Sequence, residues 1–316
     1  MRKILLISDP MEKFNILGDS TYLLTLTAGD MSFQISQCLP EDVYSINNQP
    51  FANVNNIRLA HGLSAIHSQA SWFEKIAREE PVNLSDFEII LVRNDPPFTL
   101  EYYYLTQILE LAQTQGVKVI NSPHILRNFN EKLSILNFPQ HIVPTLVSKN
   151  KTVLKKFIQE QGSCIAKPID MMGGRGVFKT GGEDPNQDAI LESLTNYYTT
   201  SIMVQRFIPE VVAGDKRIFV INGEVIDYCL CRIPQNGQIR GNLAVGGRGE
   251  VQPLNEHDYL IARDVAGWLK QQQIAIAGLD VIGNYLTEVN LTSPTGAQQI
   301  YRESGINVFE RLLTGL

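Results

Sequence analysis

Three short apolar runs, each stopped by a turn signal, constrain this chain more than anything else in it. KILLIS (3–8) ends at Asp9-Pro10, FEIILV (87–92) at Arg93-Asn94-Asp95-Pro96, and VKVIN (117–121) at Ser122-Pro123. Runs of this length with little polar alternation read as strands buried on both faces, the kind found in parallel sheets. Between the second and third, residues 99–115 have the length and composition of a helix, and Gly116 supplies its stop. Strand, helix, strand is the α/β pattern. Ligands of open parallel sheets gather at the carboxyl ends of the strands, which puts Ser8-Asp9-Pro10 and residues 93–96 on one rim. Pro and Asp also form ordinary turns, so this rim is a candidate only.

Residues 1–123 therefore read as a Rossmann-like unit. The texture changes over 124–205, where a helix ending near Leu136, helices at 151–161 and 188–197, and a glycine hairpin at 173–176 are expected. From 206 to 316 the chain is strand-rich, with runs at 216–223, 224–233 and 277–290 and a helix at 256–272. A length of 316 residues with 44% apolar and 19% charged residues suits a globular chain with a sizeable core. The net charge of −6 argues against a nucleic-acid partner, which calls for a basic stripe. The opening apolar run is too short for a signal peptide, and no stretch approaches a membrane span. Cys38, Cys164, Cys229 and Cys231 lack the spacing of a zinc site, so they read as buried thiols of a reduced, cytoplasmic protein.

Four segments carry the chemistry. In CIAKPIDMMGGRGVF (164–178), Lys167 lies on a strand and Gly173, Gly174 and Gly176 form a turn before a second strand. Such glycines let backbone N–H groups approach an anion, with the lysine as a point charge beside them. It is neither a Walker loop nor GxGxxG, and the N-terminal strand is not followed by GxGxxG either, which speaks against a dehydrogenase. The loop 233–249 has five glycines with Arg240 and Arg248, which suits a lid over an anion. Asp215-Lys216-Arg217 opens a strand, where Arg217 is placed to meet a carboxylate or phosphate. Lastly, Asp280, Glu288 and Asn290 flank the Gly283-Asn284 turn and offer oxygen ligands suited to Mg²⁺. Glu288 and Asn290 share a strand face. A two-residue loop would set Asp280 opposite Thr287 and on the wrong face, so a shared metal predicts a longer connection, 283–285. For each segment a bland alternative stands beside the functional one: a solvated hairpin, an inserted loop, a surface charge cluster, a polar sheet edge.

In order, these segments resemble the ATP-grasp ligases, and the wording is closest to the prokaryotic glutathione synthetases. The resemblance rests on RNDPPF (93–98), NEKL (130–133), AKPIDMMGGRG (166–176), GDKRIFVINGE (214–224), CRIPQNGQIRGNLAVGGRGE (231–250), GLDVIG (278–283) and TEVNLTSPTG (287–296). It implies an ATP-grasp fold behind an N-terminal Rossmann-like domain, with 124–205 as lid and 206–316 as catalytic subdomain. By the same resemblance, Lys132 and Lys167 contact ATP phosphates with Gly173, Gly174 and Gly176. Gln205, Arg206, Phe207 and Ile208 read adenine, and Asp215 also belongs to the ATP site. Asp280, Glu288 and Asn290 hold two Mg²⁺ ions, for which Mn²⁺ is a possible substitute. Arg217, Arg232, Arg240 and Ser293 face the peptide substrate, and Arg217, Arg240 and Lys167 take catalytic roles. Met171 stands where the family has glycine.

The implied reaction joins γ-glutamylcysteine to glycine through an acyl phosphate, releasing ADP and phosphate. The implied assembly is a homo-oligomer, tetramer or dimer, without nucleic acid or membrane. Asp19-Ser20-Thr21 and Arg93 are candidates for selecting the peptide. Two alternatives differ in kind: an ATP-grasp ligase with other substrates, and a silent nucleotide-binding module. Phosphate release with different acceptor pairs separates them.

Overall fold

The computed structural model describes residues 2–68, 71–77, 80–94, 98–235, 238, 241 and 246–316. Its first half runs β1 (Lys3–Ile7), α1 (Ser20–Asp30), β2 (Gln34–Cys38), β3 (Val43–Ile46), β4 (Gln49–Ala52), β5 (Asn55–Leu59), β6 (Phe73–Ala77), β7 (Val82–Asn83), β8 (Ile89–Val92), α2 (Leu100–Thr114) and β9 (Lys118–Ile120). All three of the apolar runs expected as strands are strands, and they lie side by side. The sheet order is β6-β5-β2-β1-β8-β9, with β2, β1, β8 and β9 parallel and β5 and β6 an antiparallel edge. One face packs on α2 through Leu5, Ile7, Ile90, Leu105 and Leu109. The other packs on α1 and, beyond it, on C-terminal residues such as Ile300 and Phe309.

The second half continues with α3 (Pro123–Asn128), β10 (Thr145–Ser148), α4 (Lys151–Gln161), β11 (Ser163–Pro168), β12 (Phe178–Gly181), α5 (Gln187–Leu194), β13 (Ile202–Arg206), β14 (Asp215–Ile221), β15 (Glu224–Ile233), β16 (Arg248–Pro253), α6 (Glu256–Gln271), β17 (Ile276–Ile282), β18 (Tyr285–Asn290), α7 (Ala297–Ser304) and α8 (Val308–Thr314). Strands β10-β13-β11-β12 form one antiparallel sheet and β16-β15-β14-β17-β18 another. The first has a small apolar core of its own with α4 and α5, built from Leu154, Ile158, Cys164, Ala166, Leu191, Ile202 and Val204. The second covers one face with α6.

Two helix expectations are corrected. The helix expected to end near Leu136 stops at Asn128 and resumes as a 3-10 turn over Leu133–Asn137. The Asn130 side chain causes the break, its Oδ1 accepting the backbone N–H groups of Lys132 and Leu133, both at 3.0 Å. The helix expected over 188–197 ends at Leu194. Asn196, Tyr197 and Tyr198 then take φ of 47°, 53° and 65°, a left-handed stretch no helix continues through. All four cysteines are free and buried, and no described helix is long and apolar enough to cross a membrane.

Candidate active site

The hairpin β17–β18 resolves the register problem in an unexpected way. Its loop has only two residues, Gly283-Asn284, with Ile282 opposite Tyr285 and Val281 opposite Leu286. The expected three-residue connection is therefore wrong. Yet Asp280 does pair with Glu288, because the ladder shifts between Asp280 and Val281 and leaves Thr287 as the extra residue. A β-bulge supplies inside the strand the one-residue slip that was expected in the loop. The extra residue is put to use: Thr287 Oγ1 donates to Asp280 O at 3.1 Å, and its own carbonyl accepts Lys167 Nζ at 3.3 Å.

Around this pair lies a cavity of about 530 Å³. Lys132, Lys167, Gly173, Gly174, Gln205, Arg206, Phe207, Ile208, Asp215, Arg217, Arg232, Asp280, Glu288, Asn290 and Ser293 all line it. Of the expected site residues, Gly176 lies outside this lining, its Cα hydrogen facing Pro168, and Arg240 lies outside the described residues. Arg248 is also absent from the lining; it opens β16, exposed, and pairs with Glu250 at 2.7 Å. Asp95 of the proposed rim lies outside the described residues as well. Arg93 is buried but is not among the cavity residues. It bonds Thr21 Oγ1 and Pro294 O and covers the Phe309 ring, joining the first sheet to the C-terminal helices.

The floor is a buried charge network. Arg217 grips Asp280 with Nε on Oδ1 at 2.6 Å and Nη2 on Oδ2 at 3.1 Å. Arg232 Nη2 bridges Asp280 Oδ2 at 2.9 Å and Asp215 Oδ2 at 2.6 Å. Burial alone would raise the Asp280 carboxyl, but the two guanidiniums hold it well below the usual range. For Asp215 burial wins over Arg232, with Asp280 adding to it, and the carboxyl is pushed up. Asp215 Oδ1 has no partner among the described residues. Gly278 allows the Arg217 reach: a Cβ there would come within 2.8 Å of Arg217 Cδ. Burial lowers the Lys167 ammonium, against the pull of Glu288, so anionic phosphate oxygens beside it would be strongly favoured. Lys132 pairs with Glu288 at 3.1 Å and also donates to the Met171 carbonyl. The methionine at the glycine position thus contributes backbone, while its side chain is 47% exposed.

The oxygen donors fit a magnesium ion. Asn290 Nδ2 donates to Gly278 O at 3.0 Å, which leaves Oδ1 as the ligand atom. Asp280 Oδ2 already accepts two bonds, whereas Oδ1 accepts one and keeps a lone pair. One or two carboxylates with water and phosphate completing the shell is the usual magnesium environment.

Sequence reasoning missed Glu131. Its Oε1 accepts Leu291 N–H at 2.8 Å, Thr292 N–H at 3.1 Å and Thr292 Oγ1 at 2.8 Å, and its carbonyl accepts Val289 N–H at 2.9 Å. Asn121 Nδ2 adds a bond to Leu291 O at 2.6 Å. Lys132 and the strand bearing Glu288 and Asn290 are therefore one stitched unit. Burial, with Glu288 nearby, pushes the Glu131 carboxyl up to about 7 from 4.5. A raised acid contributes most below its unfolded pKa and loses that contribution as pH rises through its folded value. Glu131→Gln is accordingly expected to flatten the fall in stability between about pH 4.5 and 7, measured by denaturant unfolding in chelator. An unchanged pH profile would refute this.

A lysine- and glycine-bearing sheet facing a carboxylate hairpin across a cavity is the arrangement of an ATP-grasp ligase. Solved structures agree on the fold. D-cycloserine synthetase superposes with a TM-score of 0.67 at 12% identity, covering 99% of each chain. An ATP-grasp ligase solved with a minimal precursor, Mg and ADP gives 0.60 at 14%, covering 99% of this chain and 95% of that one. Sequence narrows the class. Residues 2–127 match the prokaryotic glutathione synthetase N-terminal domain and 131–305 the ATP-grasp domain of the same family. Glutathione synthetase of Neisseria meningitidis serogroup A is 44% identical over 306 residues, 97% of this chain and 95% of that one. That of Bordetella pertussis is 42% identical over 313 residues, 99% and 98% of the two chains. The chain belongs to the prokaryotic glutathione synthetase family.

Proposed function

We propose that the protein makes glutathione by ATP-dependent ligation of γ-glutamylcysteine to glycine, through an acyl phosphate. The observation that carries this reading is the Asp280–Glu288 pair beneath Lys132 and Lys167, with Arg217 and Arg232 alongside in one cavity. Adenine is read by the backbone at 205–208. Arg206 N–H and Phe207 N–H are already bonded to Pro144 O at 3.0 Å and Ser163 O at 2.8 Å. Ile208 N–H has no partner among the described residues and is the donor available to the base. Lys132, Lys167 and the glycine hairpin take the phosphates. The hairpin backbone is tuned for this, with Gly173, Gly174 and Gly176 at φ of 66°, 73° and 69°.

Glu288, Asn290 and the remaining Asp280 lone pair would hold magnesium, two ions in our reading and with Mn²⁺ as a substitute. When bound, the metal neutralises phosphate charge during transfer. Arg217 and Arg232, with Ser293, orient the peptide carboxylate so that its oxygen attacks the γ-phosphorus and ADP leaves. Glycine's amine then attacks the acyl carbon, its proton is released, and phosphate departs. The same guanidiniums face the tetrahedral oxyanion, where one such donor is worth about 10²–10³ in rate. Arg240 belongs to the loop assigned to closing the cavity against water, which would hydrolyse the acyl phosphate. A homo-oligomeric, cytoplasmic enzyme completes the proposal.

Phosphate release from ATP, measured with γ-glutamylcysteine plus glycine and with other acceptor pairs, tests it. Release only with the named pair is expected. Equal release with unrelated pairs, or binding without release, would overturn it.

A further inference from the structure

We infer that the cavity end formed by Asn15, Gly18, Asp19 and Gln299 receives the α-ammonium of the peptide substrate, and that Asp19 is its counter-charge. The inference rests on the ligase reading above. The cavity is lined by the 205–208 backbone, by the lysines and arginines, and by the loop preceding α1. The carboxylate that is activated must lie beside the phosphates, so the rest of the peptide extends away from the nucleotide. Residues 15–19 and 293–299 contribute to the same lining, and Arg217, which grips Asp280, also reaches Thr295 O of the second segment at 3.0 Å.

Those two segments bring acceptors and no cation of their own. Among the described residues, no lysine or arginine of the lining comes from either segment. Asp19 caps α1 with Oδ1 alone, taking Thr21 N–H at 2.6 Å and Tyr22 N–H at 3.2 Å. Its Oδ2 has no partner among the described residues. Gln299 Oε1 is buried and likewise unpartnered. Its Nε2 lies over Gly18, where a Cβ would approach to 3.0 Å. The second Asp19 oxygen, carrying negative charge and left over from the cap, suits an ammonium with its three donors, and the unpartnered Gln299 amide lies behind it.

The end is also held in place. Gln298 Nε2 donates to Ile16 O at 2.7 Å, Arg302 Nη1 to Leu17 O at 2.9 Å, and Ala297 N–H to Ser20 Oγ at 3.1 Å. These bonds fasten the loop to α7, so little ordering is left for the ligand to impose.

Asp19→Asn separates charge from structure, because asparagine caps a helix as well as aspartate does. The comparison uses γ-glutamylcysteine and glutaryl-cysteine, the same molecule without its amine, each with ATP and glycine. Wild type is expected to favour the amine-bearing peptide in kcat/KM by about 10- to 100-fold, the span of a charge-assisted hydrogen bond. Asp19→Asn should raise KM for γ-glutamylcysteine by a similar factor, leave KM for ATP in place, and bring the preference close to one. Gly18→Ala, which displaces Gln299, should also raise the peptide KM. The wild-type rate with γ-glutamylcysteine checks the ligase reading itself, whereas the subsite depends only on the ratio between the two peptides. A wild type that ignores the amine, or a variant that keeps the full preference, overturns the inference.

Discussion

Replacing Arg217 by alanine is expected to lower kcat by about 10²–10³-fold and to cost about 3–5 kcal/mol of stability, because a buried carboxylate loses its main partner. Both effects come from one side chain. Arg217 holds Asp280 through two bonds, and a third, from Nη1 to Thr295 O at 3.0 Å, ties β14 to the loop before α7. Arg232 alone cannot replace it, since it is shared with Asp215. The pH dependence has a definite sign. Asp280 is depressed in the folded protein, so its contribution is complete above the unfolded value of about 3.9 and fades as pH falls below it. The gap between wild type and variant in urea unfolding should therefore be full at neutral pH and narrow in acid. Equal stability at neutral pH would show that the network does not support the fold.

The second large effect is expected at Glu288. Glu288→Gln keeps the shape of the side chain but removes the carboxylate we propose as a magnesium ligand, which is also the partner of Lys132. The Mg²⁺ concentration giving half-maximal rate is expected to rise at least 10- to 100-fold, the scale seen even for residues that only support metal ligands. Titration of the metal at saturating ATP would measure it. An unshifted metal dependence would assign the ion to other residues.

Much of this was legible in the sequence because it is local. KILLIS, FEIILV and VKVIN are mostly apolar, and each becomes a parallel strand. The strand QISQC (34–38) escaped notice because Ser36 and Gln37, both buried, make it look polar. The β17–β18 hairpin was half legible. Spacing showed that Asp280 and Glu288 need a one-residue slip to share a face, but loop and strand can each supply one, and nothing local marks Thr287 as the bulge. Glu131 was invisible for a different reason: its partners lie 160 residues away in the chain. Arg93, marked as a rim residue, is consumed by contacts with Thr21 and Pro294 that only tertiary structure creates.

The β10-β13-β11-β12 sheet carries its own interior, seven fully buried apolar side chains packed with α4 and α5. The other apolar clusters are each more than twice that size. A unit so thinly filled opens at lower free energy than the body it covers. Its amides should thus trade hydrogen with solvent long before those of β14 and β17, and bound nucleotide, by bridging the two, would slow this sheet while leaving the body almost as it was. The softness is partitioned by the sequence itself, which concentrates its bulk around the strand that bears Glu288 and Asn290.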